Sequence, residues 1–222
     1  MKTGIESNLL KKLFKNVYFI NGTAYAGKST AVKNLAERFG GICCGENYHD
    51  PLAHLTDPEH QPNLCYFQTM SGWQEFINRT PEEYAAWIDG TSREAAELEI
   101  LTLIHLAQQQ PDKPIFADTN IHIETLREIS DYHHVAVMLS PQSTSADRFF
   151  DRPDPEKQFL LQKIQEADDP GKTMANFKAC IAKINSPEIY RAFEQSGFFT
   201  LVRDENRTQE ETCEILAKHF RL

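Results

Sequence analysis

Residues 20–35 read INGTAYAGKSTAVKNL, and the reading of this stretch decides the rest. Gly22 is followed, after a spacer of four residues, by Gly27-Lys28-Ser29. This G-x-x-x-x-G-K-[ST] pattern has a mechanism only where it follows a strand and opens a helix. Both flanks fit. Val17 to Ile20 is a short apolar run of aromatic and β-branched residues, which predicts a buried strand. Lys28 to Phe39 carries a helical pattern that stops at Gly40-Gly41. Glycines let a backbone turn its N–H groups toward a phosphate, and the helix N-terminus adds partial positive charge. Gly22, Ala24, Tyr25, Ala26, Gly27, Lys28, Ser29 and Thr30 therefore form a candidate phosphate cradle. In it Lys28 reaches the β- and γ-phosphates and Ser29 ligates Mg²⁺. Thr30 starts the helix or touches the α-phosphate.

Working outward, four more short apolar runs predict strands: Ile42 to Cys44, Ile115 to Ala117 ending at Asp118, Val135 to Leu139, and Phe198 to Val202. Thr208 with Glu211 predicts a capping box that opens a last helix running to Phe220. Strands alternating with helices predict an α/β fold with a mainly parallel five-stranded sheet, covered on both faces, as one domain over 1–222. About 70 residues separate the second and third strands, too many for a simple crossover. They predict a helical insert over about 51–112, with one helix from Thr80-Pro81-Glu82-Glu83 and a longer one from Thr91 to Gln110. Tyr66, Phe67, Trp73, Phe76, Tyr84 and Trp87 crowd its first half. They read as a small helical subcore or, alternatively, as the lining of an acceptor pocket.

The 222 residues carry a net charge of −9. That balance points to a small ligand rather than to general nucleic-acid binding. Lys11, Lys12 and Lys15 have the spacing of a solvated helix face. The five cysteines form no C-x-x-C pair and match no zinc spacing, which predicts reduced thiols and a cytoplasmic protein. No secretory signal and no apolar run of membrane-spanning length is apparent, so no membrane partner is expected.

The segments after the other strands narrow the kind of nucleotide site. The guanine-reading Asn-Lys-x-Asp of GTPases does not occur, and Asp168-Asp169-Pro170-Gly171 does not follow a strand. Gly45-Glu46-Asn47-Tyr48-His49-Asp50 follows the second strand and supplies Glu46 and Asp50 as acceptor-side carboxylates. Phe116-Ala117-Asp118-Thr119-Asn120 ends the third, with Asp118 placed to hold a Mg²⁺-bound water. Beyond the fourth come Arg148 and Arg152, spaced to share a helix face and clamp a phosphoryl group. His49 and His54 read as surface residues, His105 as packed, and His133-His134 as structural. Cys43 and Cys44 read as small buried hydrophobes.

These motifs together resemble the P-loop kinases of the nucleoside monophosphate, shikimate and polynucleotide kinase type. Ala117-Asp118-Thr119-Asn120 resembles the segment after the third strand in polynucleotide and seryl-tRNA kinases. Gly45-Glu46-Asn47-Tyr48-His49 resembles their acceptor-side segment, and Arg148-x-x-x-Arg152 their lid. The resemblance implies a three-layer fold with strand order 2-3-1-4-5, a lid over about 142–172, and an adenine-contacting loop near Asp204 to Thr208. It implies transfer of the γ-phosphoryl group of ATP, with Mg²⁺, to a small acceptor such as a nucleoside, nucleotide or sugar-like metabolite. Glu46 matches the acceptor-side carboxylate of these kinases. An RNA- or tRNA-directed kinase is one alternative, and a nucleotide-binding regulator without phosphotransfer another.

Overall fold

Strands that are apolar on both faces need helices on both faces, and the architecture follows from that. The computed structural model describes residues 6–141, 149–150 and 155–222. Five strands, β1 (Val17–Gly22), β2 (Ile42–Cys44), β3 (Ile115–Asp118), β4 (Val135–Leu139) and β5 (Phe199–Val202), pair in parallel in the order β2-β3-β1-β4-β5. Ile20 lies opposite Asp118 and Gly22 opposite Met138, so the ends of β1, β3 and β4 meet on one edge.

Side chains alternate along each strand, which divides the core into two layers. On one face Val17, Phe19, Ile115 and Ala117 pack with α1 (Ser7–Leu13), α5 (Pro81–Gln109) and α6 (Ile123–Ile129), through Leu10, Ile100, Leu103 and Leu126. On the other, Ile20, Phe116, Ala136 and Leu201 pack with α2 (Lys28–Phe39) and α10 (Gln209–Phe220), through Val32, Leu35, Leu216 and Phe220. The edge strands are incompletely covered. Cys43 is accordingly exposed, contrary to the sequence reading, and only Cys44 is buried.

The insert contains a 3₁₀ turn (Asp50–Leu55), α3 (Tyr66–Thr69), α4 (Trp73–Ile77) and α5. The two helices expected from Thr80 and Thr91 are one helix of 29 residues. Thr80 and Glu83 close its capping box. Gly90 lies within this helix, where the Asn63 side chain occupies the space a Cβ would need. The Glu94 carboxylate accepts the Asn63 and Leu64 N–H groups at 3.0 and 2.8 Å, and Trp87 Nε1 donates to the Asn63 carbonyl at 3.1 Å.

The aromatic residues of the insert form a third core. Phe76, Ile77 and Tyr84 pack against Ile164 of α7 (Pro155–Gln165) and against Phe177, Cys180 and Ile181 of α8 (Pro170–Ile184). Asp169 caps α8 by accepting the Lys172 N–H at 3.0 Å. The helices that follow β4 therefore share a core with the insert that follows β2. After α9 (Pro187–Glu194) the chain enters β5 and α10. Among the described residues, no helix is long and apolar enough to cross a membrane.

Candidate functional site

The site is built where β1 runs out. Asn21 Nδ2 donates to the Ile121 carbonyl at 2.6 Å, and the Gly22 N–H donates to Asn21 Oδ1 at 2.5 Å. Gly22 has φ of +129°, and a Cβ there would overlap the Met138 carbonyl. The next residues are pinned to the end of β4. The Thr23 N–H donates to the Met138 carbonyl at 3.0 Å, and the Ser140 N–H donates to Thr23 Oγ1 at 2.8 Å. At the loop's tip the Tyr25 hydroxyl donates to the Phe149 carbonyl at 3.1 Å, and Arg203 donates to the Tyr25 carbonyl at 2.7 Å. The loop ends at Gly27, with φ of +91°, and no side chain caps the first turn of α2. The leading N–H groups of that helix are thus open to an anion.

Three functional groups converge at the start of α2. Lys28 Nζ donates to the Thr23 carbonyl at 3.2 Å and lies 3.8 Å from Asp118 Oδ1. The Ser29 hydroxyl donates to Asp118 Oδ2 at 2.7 Å. Asp118 is buried because it ends β3 beside β1. A hydroxyl and a carboxylate placed together are hard oxygen donors of the kind Mg²⁺ takes one or two at a time, beside waters and phosphate oxygens. The donor set therefore fits that ion. Among the described residues, no cluster of three or more His, Cys, Asp or Glu forms a separate metal cage.

Beside the loop lies a cavity of about 260 Å³ lined by Gly27, Thr30, Asn34, Arg203, Asp204 and Arg207, among others. It brings the segment after β5 against the first turns of α2. Arg207 donates to the Val202 carbonyl at 2.9 Å, which holds its stem along that rim.

The acceptor-side residues stand apart from this cluster. Glu46 and Asp50 are exposed on the loop after β2, and no hydrogen bond or ion pair joins either carboxylate to Lys28, Ser29 or Asp118. Arg148 and Arg152 lie outside the described residues.

A residue that the sequence reading passed over lies between the two groups. Glu99, in the middle of α5, is wholly buried. Its carboxylate accepts the Thr119 hydroxyl at 2.5 Å, the Asn120 side-chain amide at 2.9 Å, the Asn120 N–H at 3.2 Å and the Tyr48 hydroxyl at 3.1 Å. It ties the loop after β2 to the segment that begins at Asp118. Burial pushes its carboxyl up, and the bonds from Thr119, Asn120 and Tyr48 pull the other way. Burial likewise pushes the Tyr48 hydroxyl up, and Glu99 adds to the rise. The signal in the sequence was that, of the two acids in Ala95-Ala96-Glu97-Leu98-Glu99-Ile100, Glu99 falls on the apolar side of the helix.

The histidines divide differently from expectation. His49 is buried rather than at the surface, with Nδ1 at 3.8 Å from Glu99 Oε1. His105 is exposed, since it falls on the outer face of α5. His54 is exposed, as expected. His133 and His134 bond to the His219 and Lys15 carbonyls and serve the fold. Burial, reinforced by Cys43 and Glu99, pushes the Cys44 thiol up to about 12, which suits an inert core residue.

No protein-family model, curated protein or solved structure matches the chain.

Proposed function

We propose that the protein is an ATP-dependent kinase with a P-loop-type three-layer fold, transferring the γ-phosphoryl group to a small-molecule acceptor. The observation that carries this reading is the convergence of Lys28, Ser29 and Asp118 on an uncapped helix N-terminus. Phosphoryl transfer asks little covalent chemistry of a protein, so catalysis consists of positioning and charge neutralisation. Lys28 neutralises the β- and γ-phosphates, and the N–H groups from Gly27 to Thr30, at the uncapped start of α2, hold them. Ser29 and Asp118 would hold Mg²⁺, directly or through water, and the ion would supply charge neutralisation for the transferring phosphoryl group. The cavity between α2 and the Asp204–Thr208 segment receives the base. Arg148 and Arg152, outside the described residues, keep the clamping role that the resemblance implies, and Glu46 and Asp50 face the acceptor. A cytoplasmic location agrees with the five free thiols.

The test is a phosphoryl-transfer screen of metabolite pools with labelled ATP and Mg²⁺, run beside Lys28→Ala. The reading expects at least one pool component to be labelled by the wild type. It expects Lys28→Ala to lose turnover by about 10²-fold or more while unfolding at a similar temperature. ATP binding with no acceptor labelled would favour the regulator, and strongly salt-dependent RNA binding the RNA-directed kinase.

A further inference from the structure

The loop after β2 lacks cations. From Gly40 to Asn78 the chain contains no Lys or Arg, while Glu46, Asp50, Asp57, Glu59 and Glu75 are acidic, and the next cation, Arg79, lays its guanidinium 3.8 Å over the Tyr66 ring in the aromatic core of the insert. Arg and Lys are the side chains best suited to hold an acceptor that carries its own phosphate. Within this segment His49 is only 6% exposed, and its Nδ1 is buried with no hydrogen-bond partner. That nitrogen faces Glu99 Oε1 at 3.8 Å. Glu99 Oε2 already accepts the Tyr48 and Thr119 hydroxyls, whereas Oε1 accepts the Asn120 side-chain amide and only a shared bond from the Asn120 N–H, 3.2 Å from both oxygens. A shift of about 0.8 Å would bring Nδ1–H into bonding range. A histidine that donates Nδ1–H to a buried carboxylate carries its basic lone pair on Nε2.

Building on the kinase reading above, we propose that the acceptor is a hydroxyl group on a molecule without phosphate, and that His49, oriented by Glu99, takes its proton. The acceptor O–H bond breaks and its proton passes to His49 Nε2. The freed oxygen bonds to the γ-phosphorus of ATP as the bond from that phosphorus to the β–γ bridging oxygen breaks. ADP leaves with the electron pair. Glu99 is a positioning residue that sets the tautomer. Glu46 and Asp50, exposed on either side of His49, orient the acceptor's other polar groups. The titratable groups facing the pair are Tyr48, Asp50 and Cys44. Burial holds the His49 imidazole below its ordinary value, with Asp50 pulling the other way, so the ring is neutral and basic at neutral pH.

The experiment uses the full chain, labelled ATP, and acceptors supplied in pairs: a nucleoside with its 5′-monophosphate, and a sugar with its sugar phosphate. Transfer should go to the unphosphorylated member. His49→Gln should lower kcat by about 10²-fold or more, with ATP affinity unchanged. Nitrogen-15 NMR of the wild-type ring should show the Nδ1–H tautomer, and Glu99→Gln should shift it toward Nε2–H. A preference for phosphorylated acceptors, a wild-type kcat in His49→Gln, or an Nε2–H ring in the wild type would each overturn the proposal. Loss of the kinase reading registers separately, as absence of ATP binding by the wild type, and would take this proposal with it.

Discussion

The Ser29 hydroxyl and the Asp118 carboxylate are joined at 2.7 Å across 89 residues of sequence. The bond links the first turn of α2 to the end of β3, and Lys28 lies 3.8 Å from the same carboxylate. Asp118→Asn keeps the shape and leaves an oxygen for Ser29, but removes the charge. In a kinase assay the variant should need about 10–100-fold more Mg²⁺ for half-maximal turnover. A Mg²⁺ titration superimposable on the wild type would remove Asp118 from the metal site.

The left-handed conformation and close approach of Gly22 make it the loop's least replaceable residue. At φ of +129°, with the Met138 carbonyl where a Cβ would go, Gly22→Ala combines backbone strain with a steric clash. It should cost roughly 3 kcal/mol or more. For a chain of this size that lowers Tm by about 6–12 °C. Gly45 has nothing within 4 Å of its would-be Cβ, so Gly45→Ala should leave Tm nearly unchanged in the same calorimetric series.

Phe177 is fully buried between the insert and the helices that follow β4, with its ring centroid 5.7 Å from that of Tyr84. Phe177→Ala should destabilise by about 3–5 kcal/mol. Because this core is separate from the two that cover the sheet, hydrogen exchange should accelerate in α5, α7 and α8 before it does in β1 and β4. Uniform acceleration across the sheet would show that the third core is not an independent layer.

Burial holds the His219 imidazole below its ordinary 6.5, so folding favours the neutral ring. Its contribution to stability is complete above 6.5 and is lost as pH falls through the depressed value. Glu99 has the opposite sign: its carboxyl is raised, so its contribution is complete below the ordinary 4.5 and is lost as pH rises through the raised value. His219 stacks on Phe199 at 4.4 Å and lies 2.9 Å through Nε2 from the Val135 carbonyl. His219→Phe should lower stability near neutrality by about 1 kcal/mol and flatten its decline below pH 6.5. Urea midpoints measured across that range check it; an unchanged slope would mean that His219 does not titrate with unfolding.

Much of the frame was legible from local pattern. The bounds of α2, β2 and β4 coincide with the apolar runs and stop signals read from the chain. The capping box at Thr208 forms as its spacing predicts, and a helix starts after Thr80 as expected, closed there by a second capping box. Where prediction failed, distant contacts outweighed local preference. Two helices were expected, from Thr80 and from Thr91, but they are one, and Gly90 within it marks where Asn63 approaches the helix backbone. His49 looked like a surface histidine in a polar loop, and it is buried by a helix that begins some thirty residues later.

The sequence by itself determined the alternation of strand and helix, the glycine loop between β1 and α2, and the candidate roles of Lys28, Ser29 and Asp118. The alternation and the glycine loop repeat at short spacing or lie on contiguous residues, so local physics is enough to display them; Asp118 stood out by ending an apolar run, and its meeting with Ser29 is tertiary. Only the tertiary structure decided that Glu99 lies under the loop after β2, that His49 faces it, and that α7 and α8 share a core with the insert. The reason is energetic. A buried carboxylate is tolerated where several donors surround it, and the donors to Glu99 come from Tyr48, Thr119 and Asn120, which no short-range pattern brings together.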